Sequence, residues 1–134
     1  MRLAYCVRAI YPQHGYGGLE RSSTSLMRHL LARGVDVALF TRALPPGQPL
    51  HASPGAVGRL TVHPVRYGRL PLPPNGILAR LTNYRAFVEG MGARVAGLAY
   101  RGHVGGVYAH GLCAWGVRHA SEWGVPMVAN PHGL

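Results

Sequence analysis

A glycine-rich turn between an apolar run and a helical pattern is the feature that most constrains the fold of this chain. The apolar run covers residues 3–7, the turn is Gly15-Tyr16-Gly17-Gly18, and the helical pattern begins at Leu19. A buried strand that turns on small residues into a helix points free backbone N–H groups and the positive end of the helix dipole above the turn. The stretch therefore indicates a βα unit whose turn can bind a phosphate or carboxylate, although an ordinary βα turn has the same pattern.

Two better-known phosphate-binding loops do not match this turn. A Walker loop needs a Gly-Lys-Ser/Thr ending, and the chain contains no lysine. The dinucleotide fingerprint G-x-G-x-x-G would begin at Gly15, but Glu20 occupies the place of its third glycine. The second predicted strand also ends in Thr41-Arg42 instead of the acid that holds a ribose. A nicotinamide enzyme is therefore disfavoured, and an NADP-type arginine stays open as an alternative.

Length and composition fit one globular domain with an excess of positive charge. The chain has 134 residues, of which 48% are hydrophobic and 13% charged. Fourteen arginines against four acidic residues give a formal charge of +10. Nucleic acid, an anionic membrane surface or a phosphorylated substrate would each suit that charge. Because the arginines are scattered singly and replace lysine throughout, compositional drift is the favoured explanation.

Cysteine usage and hydropathy predict a cytoplasmic protein. Cys6 and Cys113 form no CxxC motif, and Cys6 lies in a predicted core strand, so both are predicted to be buried, reduced thiols. No zinc site is evident. The apolar run at the amino terminus is too short for a signal peptide, and no segment reaches the length of a membrane span.

Hydrophobic periodicity predicts alternating strands and helices. The predicted strands cover residues 2–7, 35–40, 60–65, 104–109 and 126–129, and the predicted helices cover residues 19–33, 77–98 and 112–123. Residues 42–59 are predicted to be loop, and Pro71, Pro73 and Pro74 to hold the chain extended as far as Asn75, a predicted N-cap.

This order predicts an α/β fold of the doubly wound class, with an open, mostly parallel, Rossmann-like sheet and helices on both faces. Ligands bind such sheets at the carboxyl ends of the strands, where the strand order reverses. The Gly17-Gly18 turn should therefore lie beside His110, with His132 near the same crevice. The other six histidines are predicted to be solvated or structural.

The long predicted helix carries an apolar stripe along one face, with arginines off the stripe. The stripe consists of Ile77, Leu81, Tyr84, Val88, Met91, Val95 and Leu98. Such a helix can cover the sheet or lie on an anionic membrane surface. Packing against the sheet is favoured, because any α/β sheet needs such a helix. Its three glycines either weaken the helix interior or allow close packing.

Four motifs stand in register along the chain. They are Tyr11-Pro12 with Gly17-Gly18-Leu19-Glu20, the stretch Leu30-Leu31-Ala32-Arg33-Gly34-Val35-Asp36-Val37, the stretch Val107-Tyr108-Ala109-His110-Gly111, and the stretch Val125-Pro126-Met127-Val128-Ala129-Asn130-Pro131-His132-Gly133. Together they resemble the amino-terminal domain of the family-four retaining glycosyltransferases, which have the two-domain GT-B fold. Two positions depart from the family pattern: Val35 replaces a histidine, and Gly105-Gly106 replaces an acid.

The resemblance covers essentially the whole chain, but the second Rossmann-like domain of the family is absent. It implies that residues 1–134 form the acceptor-side, amino-terminal domain of a truncated protein, incomplete at its carboxyl end. The second domain carries most of the nucleotide contacts in this family. The 134 residues alone are therefore expected to be inactive.

The resemblance also implies a function. A sugar of the hexosyl type would pass from a nucleotide-sugar donor to a glycan or lipid-linked acceptor with retention of configuration, and neither a metal nor another cofactor would be required. Gly17 and Gly18 would contact the donor diphosphate, and His110 would be the catalytic residue. Tyr16, Glu20 and His132 would bind substrate. Contact with the inner face of the membrane would be peripheral.

Two alternatives from other classes remain. A non-catalytic basic module for nucleic acid would need arginines on one face with aromatic side chains between them. That alternative is disfavoured because Tyr5, Tyr84 and Phe87 fall in elements that need a core. A fragment of a Rossmann oxidoreductase would be recognised by NADPH binding.

Overall fold

Five parallel strands form the sheet on which the rest of the chain packs. The structure, a computed structural model, describes residues 1–66 and 76–131. The strands are β1 (Arg2–Cys6), β2 (Asp36–Arg42), β3 (Leu60–Val65), β4 (Gly106–His110) and β5 (Met127–Asn130). Their order is β3-β2-β1-β4-β5, and every neighbouring pair is parallel. The predicted parallel sheet is confirmed.

Helices cover both faces of the sheet, as the doubly wound class predicts. Helix α1 (Gly18–Ala32) and helix α2 (Ile77–Tyr100) lie on opposite faces. Alternate residues of β1 sort accordingly: Tyr5 packs in the cluster with α1, and Cys6 in the cluster with α2. Residues of a strand point alternately to either side of the sheet, and helices pack on both sides, so both faces of β1 are buried.

The predicted helix over residues 112–123 is wrong, because the chain leaves helical geometry after four residues. A short helix α3 (Cys113–Gly116) is followed by non-helical Val117, with φ −111° and ψ 17°, and then by a 3₁₀ turn (Ala120–Trp123). A Cβ at Gly116 would collide with the Val88 carbonyl of α2. The two helices touch through their backbones, and glycine at this contact is also a weak helix former.

The predicted apolar stripe of α2 is only partly buried. Val88, Met91 and Val95 lie in the core as predicted, and Met27 and Leu31 do so on α1. Leu19 is exposed, and so are Ile77 and Leu81 at the start of α2. The prediction that the stripe of α2 packs against the sheet is therefore wrong for Ile77 and Leu81.

Other sequence predictions have mixed outcomes. Cys6 and Cys113 are free and buried, as predicted. Burial raises the pKa of the Cys6 thiol well above its usual value and raises that of Cys113 to about 12. The predictions for Pro71, Pro73, Pro74, Asn75 and His132 lie outside the described residues. Across residues 1–66 and 76–131, no helix has the length and apolar character needed to span a membrane.

Candidate functional site

A cleft of about 560 Å³ opens at the carboxyl edge of the sheet. Its walls come from the loop after β1 with the start of α1, from the first half of α2, and from the connection between β4 and α3. The lining residues are Arg8, Ala9, Leu19, Glu20, Arg80, Leu81, Tyr84, Arg85, Val88, His110, Gly111, Leu112 and Trp115. The cleft lies where β1 has β2 on one side and β4 on the other, as the switch-point rule predicts.

The predicted site residues take different places around this cleft. His110, at the end of β4, and Glu20, in the first turn of α1, both line it. Tyr16, Gly17 and Gly18 are exposed and are not among the lining residues. The prediction put the turn and His110 in one crevice, and the structure places His110 in the cleft with the turn next to it.

Glu20 connects the turn with the cleft. Its side chain folds back over the turn, so that a Cβ added at Gly17 would collide with the Glu20 carboxylate. A Cβ at Gly18, by contrast, would have no described heavy atom within 4 Å. Gly17 is the N-cap of α1, with no side chain capping the helix. A carboxylate in this position is favourable, because it faces the positive end of the helix dipole.

Hydrogen bonds hold the loop between β1 and α1 in place. The Tyr11 backbone N–H donates to Thr24 Oγ1 at 2.9 Å, and the Ile10 N–H donates to His14 Nδ1 at 3.1 Å. His14 Nε2 lies 3.0 Å from the Ala43 carbonyl oxygen, to which it donates. His14 is therefore structural. Burial lowers its pKa from 6.5 as the largest effect, and nearby Arg42 lowers it as well.

Ring stacking and hydrogen bonds also fix the position of the end of β4. Tyr108 stacks on Tyr5 with ring centroids 4.7 Å apart, and its hydroxyl accepts a hydrogen bond from Asn130 Nδ2 at 3.1 Å. Gly111 adopts a left-handed φ of 60°, and its N–H donates to the Asn130 carbonyl at 2.7 Å. The chain therefore turns sharply after His110, which leaves this half-buried histidine on the wall of the cleft.

The cleft combines positive charge with apolar walls. Arg8, Arg80 and Arg85 line it, and Glu20 is the acidic residue among its described lining residues. Sequence reasoning did not identify Arg8 or Trp115 as part of the site. The position of Arg8 directly after the end of β1 was the available signal, since ligands meet sheets at the carboxyl ends of strands.

Two other classes of site find no support in the part of the chain that the structure describes. No group of three or more His, Cys, Asp or Glu side chains there can hold a metal ion. Tyr5 and Phe87 are fully buried and Tyr84 packs against the core, so these aromatic side chains do not form a stacking surface for nucleic-acid bases.

Sequence comparison decides the family. The profile of Glycosyltransferase Family 4 matches residues 16–134. The chain belongs to glycosyltransferase family 4. This assignment confirms the resemblance that the motifs around Gly17 and His110 predict. Family 4 membership makes the chain a glycosyltransferase domain.

Known relatives of this family 4 domain are much longer than the chain. A D-inositol 3-phosphate glycosyltransferase from Acidothermus cellulolyticus is 36% identical over 125 residues, which cover 88% of the chain and 26% of that protein. The crystal structure of a UGT transferase from Siraitia grosvenorii in complex with UDP matches with a TM-score of 0.55 and 18% identity, over 96% of the chain and 27% of that structure. The structural match shows the fold, the amino-terminal part of a GT-B transferase.

Proposed function

We propose that this family 4 domain provides the acceptor-side wall of a site that transfers a hexosyl group from a nucleotide-sugar donor to an acceptor with retention of configuration. One observation carries the proposal: Glu20 and His110, which follow different strands, line one cleft, and Glu20 links that cleft to the Gly17-Gly18 turn. The arrangement brings an anion-binding helix start next to a polar side chain at the switch point of the sheet.

The turn is suited to the donor diphosphate. A phosphate can approach the backbone at Gly18, where a Cβ would meet no described heavy atom, and it would take the place of the Glu20 carboxylate at the start of α1, whose free N–H groups attract anions. The hydrogen bonds that fix Ile10 and Tyr11 hold the loop before any ligand binds. Groups fixed in this way stabilise the negative charge that grows on the departing diphosphate in the transition state.

His110 would position the sugar or the acceptor in the reaction. An acceptor hydroxyl oxygen forms a bond to the anomeric carbon, and the bond from that carbon to the diphosphate oxygen breaks. The nucleoside diphosphate leaves with the electron pair, and the hydroxyl proton passes to the leaving phosphate or to solvent. A histidine on the cleft wall can hydrogen-bond a sugar hydroxyl and orient the reacting groups.

The remaining parts of the site would come from outside the described residues. The chain spans about a quarter of the length of the two relatives, 26% of one and 27% of the other. We propose that a second domain binds the nucleotide base and ribose, and that the acceptor is a glycan or a lipid-linked molecule. His132 and Tyr16 remain proposed substrate contacts.

The experiment is a transfer assay of the complete product of the gene over a panel of nucleotide sugars, with the anomeric configuration of the product determined by NMR. We expect transfer with retention, and a loss of about 100-fold in kcat for His110→Ala. His119→Ala is the control, because His119 is exposed and pairs with Glu122 at 3.0 Å instead of lining the cleft. Inversion of configuration, or wild-type turnover of His110→Ala, would contradict the proposal.

A further inference from the structure

Exposed apolar side chains surround the mouth of the cleft. Leu81 is 64% exposed and Trp115 57% exposed, and both line the cleft together with exposed Leu112. Ile77 and Leu78 extend this apolar surface along the first turn of α2, where both are exposed. A group of large apolar side chains on one surface marks a place where a ligand or partner binds.

Two arginines stand on the walls of the same cleft. Arg8 follows β1, and Arg80 lies in the first turn of α2. Neither forms an ion pair within residues 1–66 and 76–131, whereas Arg85 pairs with Glu89 at 3.1 Å. The Arg8 guanidinium lies 5.8 Å from the centroid of the Tyr84 ring, against the α2 wall. The cleft therefore offers positive charge directly beside apolar surface.

These arginines lie on the wall of the cleft, beside the turn of the proposed diphosphate site. Gly17 and Gly18 do not line the cleft, and Arg8 and Arg80 do. An anion on the arginines would be bound in addition to the diphosphate on the turn. A wholly polar anion would pair with the arginines and leave the apolar mouth in water. A neutral apolar molecule would cover the mouth and leave the arginines unpaired.

We infer that the cleft binds an anionic amphiphile as the sugar acceptor, a molecule with a phosphate, sulfate or carboxylate beside an aliphatic or aromatic group. The inference rests on the proposed function, since it names the acceptor class of that same site. Arg8 and Arg80 bind the anionic group, and Leu81, Leu112 and Trp115 bind the apolar part. A hydroxyl of the acceptor attacks the anomeric carbon near His110, as in the reaction described above.

The test is isothermal titration of the complete gene product with three probes below their micelle concentrations. Octyl phosphate carries both features, octyl glucoside is amphiphilic without charge, and inorganic phosphate is charged without an apolar group. We expect octyl phosphate to bind at least about 10-fold more tightly than either of the others, because a hydrogen-bonded charge contributes on this scale. Equal affinity for octyl phosphate and octyl glucoside overturns the inference.

Substitutions in the cleft test which residues bind the anionic group of the ligand and which bind its apolar part. We expect Arg80→Gln to weaken octyl phosphate roughly 10-fold and to leave octyl glucoside unchanged. Trp115→Ala should weaken both amphiphiles and leave inorganic phosphate unchanged. The matched controls are Arg28→Gln and Tyr100→Ala, which alter an exposed arginine and an exposed aromatic side chain outside the cleft. Losses in these controls equal to those in the cleft variants overturn the inference.

Two further measurements identify the source of the ligand and test the proposed function apart from the ligand chemistry. Sedimentation of the protein is compared between phosphatidylglycerol vesicles and phosphatidylcholine vesicles. Stronger binding to the phosphatidylglycerol vesicles that requires Trp115 identifies the amphiphile as a bilayer lipid. Octyl phosphate binding without vesicle binding assigns it to a soluble molecule, and both outcomes support the ligand chemistry. Donor hydrolysis without octyl phosphate binding overturns this inference alone. Octyl phosphate binding without hydrolysis or transfer of any nucleotide sugar contradicts the proposed function and the role of the ligand as acceptor, and supports only the ligand chemistry of the cleft.

Discussion

Gly17 and Gly18 are adjacent in the sequence but have different surroundings. This difference allows diphosphate binding at the turn to be tested with a single substitution. The Gly17 position is crowded by the Glu20 carboxylate, whereas the Gly18 position is open. We predict that Gly18→Ala raises the donor KM roughly 10-fold, because its methyl group would block the approach of the diphosphate. The fold should remain intact, and alanine within the first turn of α1 should add up to about 1 kcal/mol of stability.

The control for this variant is Gly97→Ala, the same change in α2, where the nearest side-chain atom lies 3.7 Å away on Arg101. Thermal unfolding and steady-state kinetics of the complete protein measure both effects. A Gly18→Ala variant with the donor KM of the wild type would show that the diphosphate does not approach this part of the turn.

Protonation of His14 should lower the free energy of unfolding at acid pH. Its folded-state pKa lies below 6.5, mainly through burial, and its Nδ1 accepts a hydrogen bond from Ile10 that protonation would break. The unfolded chain therefore binds this proton more readily than the folded chain, and stability rises with pH. The contribution is present above pH 6.5 and is lost as the pH falls toward the lowered pKa.

Urea unfolding at about pH 5 and about pH 7.5 measures this dependence. The difference between the two midpoints should shrink in His14→Gln and stay unchanged in His51→Gln, which alters an exposed histidine. Part of the difference should survive in His14→Gln, because burial also lowers the pKa of His63. An unchanged difference in His14→Gln would contradict the structural role assigned to His14.

At the level of elements, the contact between α2 and α3 depends on glycine. A Cβ at Gly92 would collide with the Gly116 carbonyl, so we predict that Gly92→Ala lowers the free energy of unfolding by about 1 to 3 kcal/mol. Gly97→Ala, in the same helix without that contact, should instead raise it by about 0.5 to 1 kcal/mol. Urea denaturation distinguishes the two, and a stabilising Gly92→Ala would contradict this packing.

Sequence periodicity predicted the strands and the two long helices because burial leaves a regular pattern. Strand β3 begins and ends at the predicted residues, and α1 begins one residue from its predicted start. The end of α3 at Gly116 was not predicted, because helical spacing continues to Trp123 and the close approach of Gly116 to Val88 of α2 leaves no mark in the local sequence. Helical spacing also could not separate a core-facing Leu81 from one that lines a cleft.

The sequence predicts part of the cleft wall. The Gly17-Gly18 turn could be placed beside His110 because a motif marks each of them and parallel topology brings the carboxyl ends of strands to one edge. Of these residues His110 lines the cleft, and the turn contributes Glu20 from the motif that follows it. Arg8 and Trp115 belong to no motif. Their positions depend on the path of the chain after β1 and β4, which the fold determines and the local sequence does not.

At the scale of the whole molecule, β5 carries exposed apolar side chains among the residues that the structure describes. Val128 is 64% exposed, and Met127 on the same strand is also exposed. Exposed apolar strands promote self-association. We predict that residues 1–134 expressed alone are marginally stable, self-associate and transfer no sugar. Size-exclusion chromatography and a donor-hydrolysis assay over a nucleotide-sugar panel measure this, and a monomer with turnover would contradict the two-domain mechanism.

The most direct measurement is a crystal structure of the complete protein with a bound nucleotide-sugar analogue. We expect the diphosphate oxygens within about 3 Å of backbone nitrogens at the Gly17-Gly18 turn, and His110 facing the anomeric carbon across the cleft. A diphosphate bound away from this turn, with His110 out of reach of the sugar, would contradict the proposed site.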